Sequence, residues 1–211
     1  WGGKYNDDFS KRETLFTDLG VFDGFTPQIN KSKNKNGILF LANIHPSLQL
    51  EVLNQMENKV SLIVTDTMNL WIDTDLHGLE KVINRTDVFM LNDEEALQLT
   101  GLDDILQAGK EIRSMGPSIV IIKMGSAGAI LFKENQSTTI PSVPNIDVYD
   151  PTGAGDSFAG GFIGYLSKFG KENIIEALLY AASIASFTVS DFGTNKIQSL
   201  SLKDIEYRVR S

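Results

Sequence analysis

From residue 38 onward, short apolar runs alternate with segments whose apolar residues recur every three or four positions. Ile38–Ala42 (ILFLA), Val60–Val64, Val88–Leu91 and Ile119–Ile122 have the pattern of strands buried on both faces. Between them lie helical patterns. Ser47 is placed to cap a helix to about Met56, with Leu48, Val52 and Leu53 on one face. Leu76–Asn84 puts Leu76, Leu79, Val82 and Ile83 at helical spacing. Glu94–Leu99 is a helix closed by Gly101, and Asp104–Met115 a helix stopped by Gly116-Pro117. Ala129–Phe132 and Ser137–Ile140 predict a hairpin. The long helices Ser157–Lys168 and Ile174–Val189 follow, and a last helix spans Leu202–Arg208.

Strands separated by helices predict βαβ units, hence an α/β fold with a mostly parallel sheet and helices on both faces. Ligands of such sheets bind beyond the carboxyl ends of the strands, where loops 92–95 and 123–128 fall. Ahead of this region the pattern differs. Lys4–Asp8 and Glu13–Asp18 predict two short strands joined by a polar turn, and Thr26–Gly37, rich in Lys and Asn, a surface connection. The chain therefore divides into an N-terminal part, 1–36, and an α/β part, 37–211. No internal repeat or low-complexity tract is present.

Composition narrows the chemistry. The 211 residues, 42% of them apolar, suit one domain able to bury a sizeable core. With no cysteine, disulfides, thiolate metal sites and a cysteine nucleophile are excluded, and a reducing, cytoplasmic setting is expected. No apolar run has the length of a membrane span. A net charge of −8 argues against a nucleic-acid-binding surface. It also means that a polyphosphate ligand would need positive charge concentrated locally, from backbone N–H groups, Lys123 and a divalent cation.

The most informative stretch is Asp150-Pro151-Thr152-Gly153-Ala154-Gly155-Asp156, which runs directly into an apolar helix. Small residues at 153–155 let the backbone turn tightly and leave its N–H groups uncovered. The helix that follows brings orphan N–H groups and the positive end of its dipole to the same point, a site for a phosphate or a developing oxyanion. Asp156 stands at the mouth of this anion hole. A carboxylate there repels phosphate, so its natural task is to take a proton from an attacking hydroxyl. The alternative is an N-capping Asp after a glycine turn.

The string DPTGAGDSFAGGF, Asp150–Phe162, resembles the C-terminal signature of the ribokinase-like, or PfkB, carbohydrate kinases. The resemblance extends from the Arg12–Leu15 region to Gly193-Thr194. It implies a ribokinase-like, Rossmann-type layered sheet with remnant strands of a lid in 1–36. It also implies phosphoryl transfer from ATP to a hydroxyl of a sugar or sugar-like molecule. Asp156 would be the base, and the N–H groups of Gly153, Ala154, Gly155 and Asp156 would hold the transferring phosphate.

Other residues gain expected roles from the same resemblance. Asn92 and Glu95, in an N-x-x-E pattern at a strand end, would place Mg2+, often through water; an Asn cap followed by acidic residues is the alternative. Lys123, Gly125, Ser126 and Gly128 (KMGSAG) resemble a nucleotide loop, with a glycine-rich hairpin turn as the alternative. Asp150 and Thr152 resemble a monovalent-cation site, for K+. Ala182 and Ser186, in the small-residue helix after Tyr180, would wall the adenine site, and Gly193 would close it; close helix packing explains the same small residues. Asp66-Thr67-Met68-Asn69 follows a strand and is a candidate for substrate or phosphate contacts. His45 and His77 have no metal-spaced partner, and Trp71 is expected in the core.

The resemblance also implies a leading segment, with the first strands, an acidic substrate residue and a Gly-Gly sugar-contact pair, that is expected to lie outside this sequence. Trp1 falls inside the expected lid, and Gly2-Gly3 is not that pair, because a strand rather than a helix follows it. The lid strands are expected to serve pairing of two copies. A non-catalytic nucleotide-binding protein, a regulatory pseudokinase or an inactive fragment of a kinase remain the alternatives.

Overall fold

The computed structural model of the chain describes residues 2–6, 12–18, 20–22, 24–29, 37–56 and 59–210. Strands β1 (Gly2–Tyr5) and β2 (Arg12–Phe16) pair antiparallel in a ribbon of their own. The main sheet contains β3 (Ile38–Leu41), β4 (Leu62–Asp66), β5 (Val88–Asn92), β6 (Ile119–Lys123), β7 (Ala129–Lys133) and β8 (Gln136–Ile140), side by side in chain order. β3 to β6 are parallel, and β7 and β8 fold back antiparallel. The helices are α1 (Pro46–Met56), α2 (Asn69–Thr74), α3 (Leu76–Ile83), α4 (Asp93–Thr100) and α5 (Ile105–Ser114). After the sheet come α6 (Ala154–Phe169), α7 (Ile174–Val189), α8 (Asn195–Gln198) and α9 (Leu202–Val209).

Both faces of the sheet are covered, as the uninterrupted apolar runs require. Side chains alternate between faces along a strand. Val88, Met90, Ile119 and Ile121 pack with Phe158, Phe162 and Leu166 of α6 and with Leu178 and Ala181 of α7. Their neighbours Phe89, Leu91, Val120 and Ile122 pack on the opposite face with Trp71, Leu79, Ile83, Leu99 and Ile112 from α2 to α5. Each fully buried side chain of this size contributes about 1.5–3 kcal/mol, so these two layers, rather than any ion pair, hold the fold. Glycines set two of the close approaches. A Cβ on Gly161 would lie 3.0 Å from the Ala181 Cα, so α6 and α7 meet nearly backbone to backbone. A Cβ on Gly109 would strike the Phe132 ring, so α5 sits down on the sheet only because Gly109 has none.

The predicted elements are found with several shifts. α1 begins at Pro46 and is not capped by Ser47. Proline suits the first helical turn because its missing N–H would be unpaired there, and the Ser47 hydroxyl bonds His45 Nδ1 at 2.9 Å instead. β4 starts at Leu62 rather than Val60 and runs on to Asp66. α6 begins three residues before Ser157, at Ala154. The short α2 and α8 were not expected; each is too brief to establish a periodic pattern. β1 begins at Gly2, before the expected Lys4, whereas Asp7, Asp8 and 30–36 of the predicted connection lie outside the described residues. No helix among the described residues is long and apolar enough to cross a membrane.

Candidate active site

Because β3 to β6 are parallel, their carboxyl ends share one edge of the sheet. Asp66 is the last residue of β4, Asn92 of β5 and Lys123 of β6, and Asn92 lies opposite Lys123 in register. The start of α6 completes the edge. Gly153 caps that helix in the left-handed conformation (φ 80°), which glycine adopts without strain. A Cβ on Gly155 would lie 3.4 Å from Lys123 Nζ, so the lysine head reaches the first turn of α6.

The turn is held from behind. Thr152 N–H donates to Asp150 Oδ1 at 2.9 Å. The Tyr149 and Asp150 N–H groups donate to the Val189 carbonyl at the end of α7, at 2.7 and 3.2 Å. The Ser157 hydroxyl donates to the Gly153 carbonyl at 2.7 Å, and Thr188 of α7 donates to the Ser157 hydroxyl at 2.8 Å. Ala154 N–H donates to the Pro151 carbonyl at 3.2 Å, which engages one of the four N–H groups expected to form the anion hole. Asp156 falls in the first turn of α6 and is exposed.

Lys123 Nζ lies 3.0 and 2.9 Å from the two carboxylate oxygens of Asp66, and both side chains are largely buried. Burial alone pulls the lysine pKa down. The charge of Asp66, then that of Glu95, the Asp66 hydrogen bond and the charge of Asp156 outweigh it and hold the pKa above the ordinary lysine value. Lys123 therefore stays charged, with three carboxylates close enough to act on it. Asp66 is fixed in turn: its Oδ1 accepts from Thr67 N–H at 3.0 Å, and its carbonyl accepts from the buried Gln49 amide at 3.3 Å. Gln49 also donates to the carbonyls of Leu41 and Ala42, which ties β3 to β4 at this edge. Beside Asp66, the Thr67 hydroxyl oxygen is buried and has no hydrogen-bond partner.

Asn92 and Glu95 form a reciprocal capping box on α4. Asn92 Oδ1 accepts from Glu95 N–H at 2.7 Å, and Glu95 Oε2 accepts from Asn92 N–H at 2.8 Å. The capping reading of this pair is thus present in the structure, and the buried Glu95 carboxylate still acts on Lys123 through its charge. Among the described residues no three His, Cys, Asp or Glu side chains gather as a metal-binding group. One carboxylate and one amide, both oxygen donors, fit Mg2+ held mainly through water and phosphate. Asp150 and Thr152 also offer oxygen donors only, which suits K+.

In the 123–128 loop the hairpin reading is also realised. Met124 N–H donates to the Gly128 carbonyl at 2.8 Å, and Ser142 donates to the Ser126 carbonyl at 2.6 Å. Gly128 (φ 92°) faces the Ile140 carbonyl so closely that a Cβ would collide with it, so packing against β8 accounts for this glycine. Gly125 (φ 53°) has open space where a Cβ would point. On α7, Ala182 packs at the rim of the α6–α7 core. Ser186 is buried, donating to the Ser183 carbonyl at 2.6 Å and accepting from Arg208 Nη1 of α9 at 3.2 Å. Gly193 (φ 59°) lies in the exposed turn before α8. His45 stacks edge-on against Trp71, which is in the core, and His77 is exposed.

The structure thus gathers Asp66, Glu95, Lys123, Gly155 and Asp156. Asp66 as the lysine's partner was not foreseen. Its sequence signal is slight: an acidic residue ending one parallel strand and a lysine ending another.

A family model described as pfkB family carbohydrate kinase matches residues 24–200. A cytidine kinase of Thermococcus kodakarensis is 28% identical over 134 residues, covering 62% of this chain and 48% of the relative. A nucleoside kinase of Methanocaldococcus jannaschii has a solved structure that superposes with a TM-score of 0.75 at 20% identity, covering 99% of this chain and 66% of that one. Arabidopsis thaliana ribokinase, solved with ribose and ATP, gives a TM-score of 0.68 at 26% identity, covering 83% of this chain and 56% of that one. The chain spans about half the length of the cytidine kinase and under two thirds of these solved chains.

Proposed function

Because the chain belongs to the pfkB family of carbohydrate kinases, we propose that it transfers the γ-phosphoryl group of ATP to a hydroxyl of a sugar or sugar-like molecule. The observation that carries this reading is the left-handed turn at Gly153 opening α6, with Asp156 exposed in the first helical turn and Lys123 beneath it. Asp156 takes the proton of the acceptor hydroxyl as its oxygen attacks phosphorus. The remaining N–H groups of the first turn and the helix dipole stabilise the charge on the transferring group. Phosphoryl transfer asks mainly for such positioning and charge. Glu95 and Asn92 would hold Mg2+, which would neutralise phosphate charge, and Asp150 and Thr152 would hold K+, which would stiffen the turn. Gly125 and Ser126 border the nucleotide, and Ala182, Ser186 and Gly193 border its base. Relatives named as sugar and nucleoside kinases support this class of acceptor.

The test is ADP release from Mg·ATP, with potassium, across pooled sugars, sugar phosphates and nucleosides, with Asp156→Asn run in parallel. Acceptor-dependent release lost in the variant is expected. ATP binding with no release from any acceptor would favour a nucleotide-binding role for this chain. We also assign the β1–β2 ribbon, where Leu15 and Phe16 are exposed, as a lid through which two copies meet. A mass by light scattering that falls to the monomer in Leu15→Ser is the expected result.

A further inference from the structure

We propose that Lys123 acts on the transferring phosphoryl group rather than on the body of the nucleotide, and that Asp66 is the positioning residue that holds it there. The inference rests on the kinase reading above and changes the role of one residue within it. Three observations carry it. The lysine head lies 3.4 Å from where a Gly155 Cβ would be, at the first turn of α6. The loop it was expected to serve, 124–128, is closed on itself and on Ser142 by its own hydrogen bonds. Asp66 meets Nζ with both carboxylate oxygens and is itself fixed by Thr67 N–H and Gln49.

The donor inventory leaves the lysine something to do. An ammonium has three N–H donors, and one carboxylate takes at most two of them. At least one therefore remains for a group at the mouth of α6. Charge points the same way. Asp66 pairs with Lys123, and the charges of Glu95 and Asp156 act on the same lysine, so it is the one ammonium these three carboxylates share. A fixed ammonium close to the helix start lowers the repulsion between Asp156 and an incoming phosphoryl group.

The test compares binding of Mg·AMP-PNP and Mg·ADP to the chain by calorimetry, because the two differ in the γ group. Lys123→Met leaves Asp66 buried without its partner, so the Asp66→Asn/Lys123→Met double variant is measured beside it, with circular dichroism of both. Lys123→Arg keeps the charge and serves as the rescue. The inference expects the double variant to lose about tenfold or more in affinity for AMP-PNP and under threefold for ADP, with Lys123→Arg restoring part of the difference. Equal loss for both nucleotides would return Lys123 to the nucleotide loop and overturn the inference. No change for either would make the pair purely structural and overturn it too. Failure of the wild-type chain to bind either nucleotide would instead overturn the kinase reading beneath it.

Discussion

Asp66 and Lys123 are 57 residues apart in the chain, yet the lysine ammonium lies within 3.0 Å of both carboxylate oxygens. They close the ends of β4 and β6 across the intervening β5. The pair is buried, so its two charges were taken out of water together. Breaking such a pair from one side leaves an uncompensated buried charge and costs about 3–5 kcal/mol. Lys123→Met is therefore expected to lower the urea midpoint sharply. The Asp66→Asn/Lys123→Met double variant should recover a large share of that loss. Additive losses in the double-mutant cycle would show that the two groups do not stabilise one another.

The same pair fixes a pH window. Lys123 is held above its ordinary pKa in the folded chain. An upward shift of a cationic group contributes stability that is fully present below the unfolded lysine value, about 10.4, and is lost as pH rises through the folded value. Between pH 6 and 9 the difference in unfolding free energy between the wild type and the double variant should be flat. Above that range it should change in the direction of wild-type destabilisation. A change centred near neutrality would point to another group.

Asp156 is exposed and makes no contact on which the core depends. Asp156→Asn should leave the melting temperature within about two degrees of wild type, since exposed substitutions of this kind stay within about 0.5 kcal/mol. Acceptor-dependent turnover should fall by at least about 10²-fold. Near-normal turnover would remove Asp156 from the proposed base role.

Glu95 carries two roles that one substitution separates. Gln at the third helical position still supports a capping box, so Glu95→Gln should keep the stability of α4. It removes the carboxylate charge, so the Mg2+ concentration needed for half-maximal nucleotide binding should rise several-fold. Glu95→Ala should lose the cap as well, at about 1 kcal/mol or somewhat more. An unchanged Mg2+ requirement in Glu95→Gln would reduce the residue to its capping function.

Gly125 and Gly128 share a loop but differ in surroundings. Both need positive φ, which costs an L-residue about 1–2 kcal/mol. Gly128→Ala adds a collision with the Ile140 carbonyl. It should unfold at clearly lower urea concentration than Gly125→Ala. Gly125→Ala, with open space at its Cβ, should cost less stability and instead weaken ATP binding. The reverse order would overturn the division of roles.

Much of this was legible in the sequence because local rules determine it. Ile174–Val189 was bounded correctly, since a long apolar helix between polar breaks has one reading. Gly101, as the left-handed cap of α4, and Gly153, at the head of α6, follow from what only glycine does easily. α2 is not legible because six residues after a strand cannot show a helical period. The start of α1 is obscured because a serine cap is a stronger pattern than a proline in the first turn. Least legible was the partner of Lys123. Nothing near residue 123 requires a carboxylate from residue 66; only the register of three parallel strands brings the two together. For the same reason the crowding at Gly128 cannot be read from its loop, because the backbone beside it comes from β8.

The hydrogen bonds that run from Thr188 through Ser157 to the Gly153 carbonyl limit how portable the Asp150–Asp156 string can be. Its glycines travel with it if the segment is transplanted onto a helix of another α/β scaffold. The brace does not, because Thr188 and the Val189 carbonyl belong to a different helix, about thirty to forty residues further along. A recipient that receives only the string inherits a floppy bend. One that also receives a neighbouring helix, with a hydroxyl and a terminal carbonyl at the matching height, inherits a preset socket. A sequence match to the string alone is therefore weaker grounds for an anion-binding site than a match that includes the second helix.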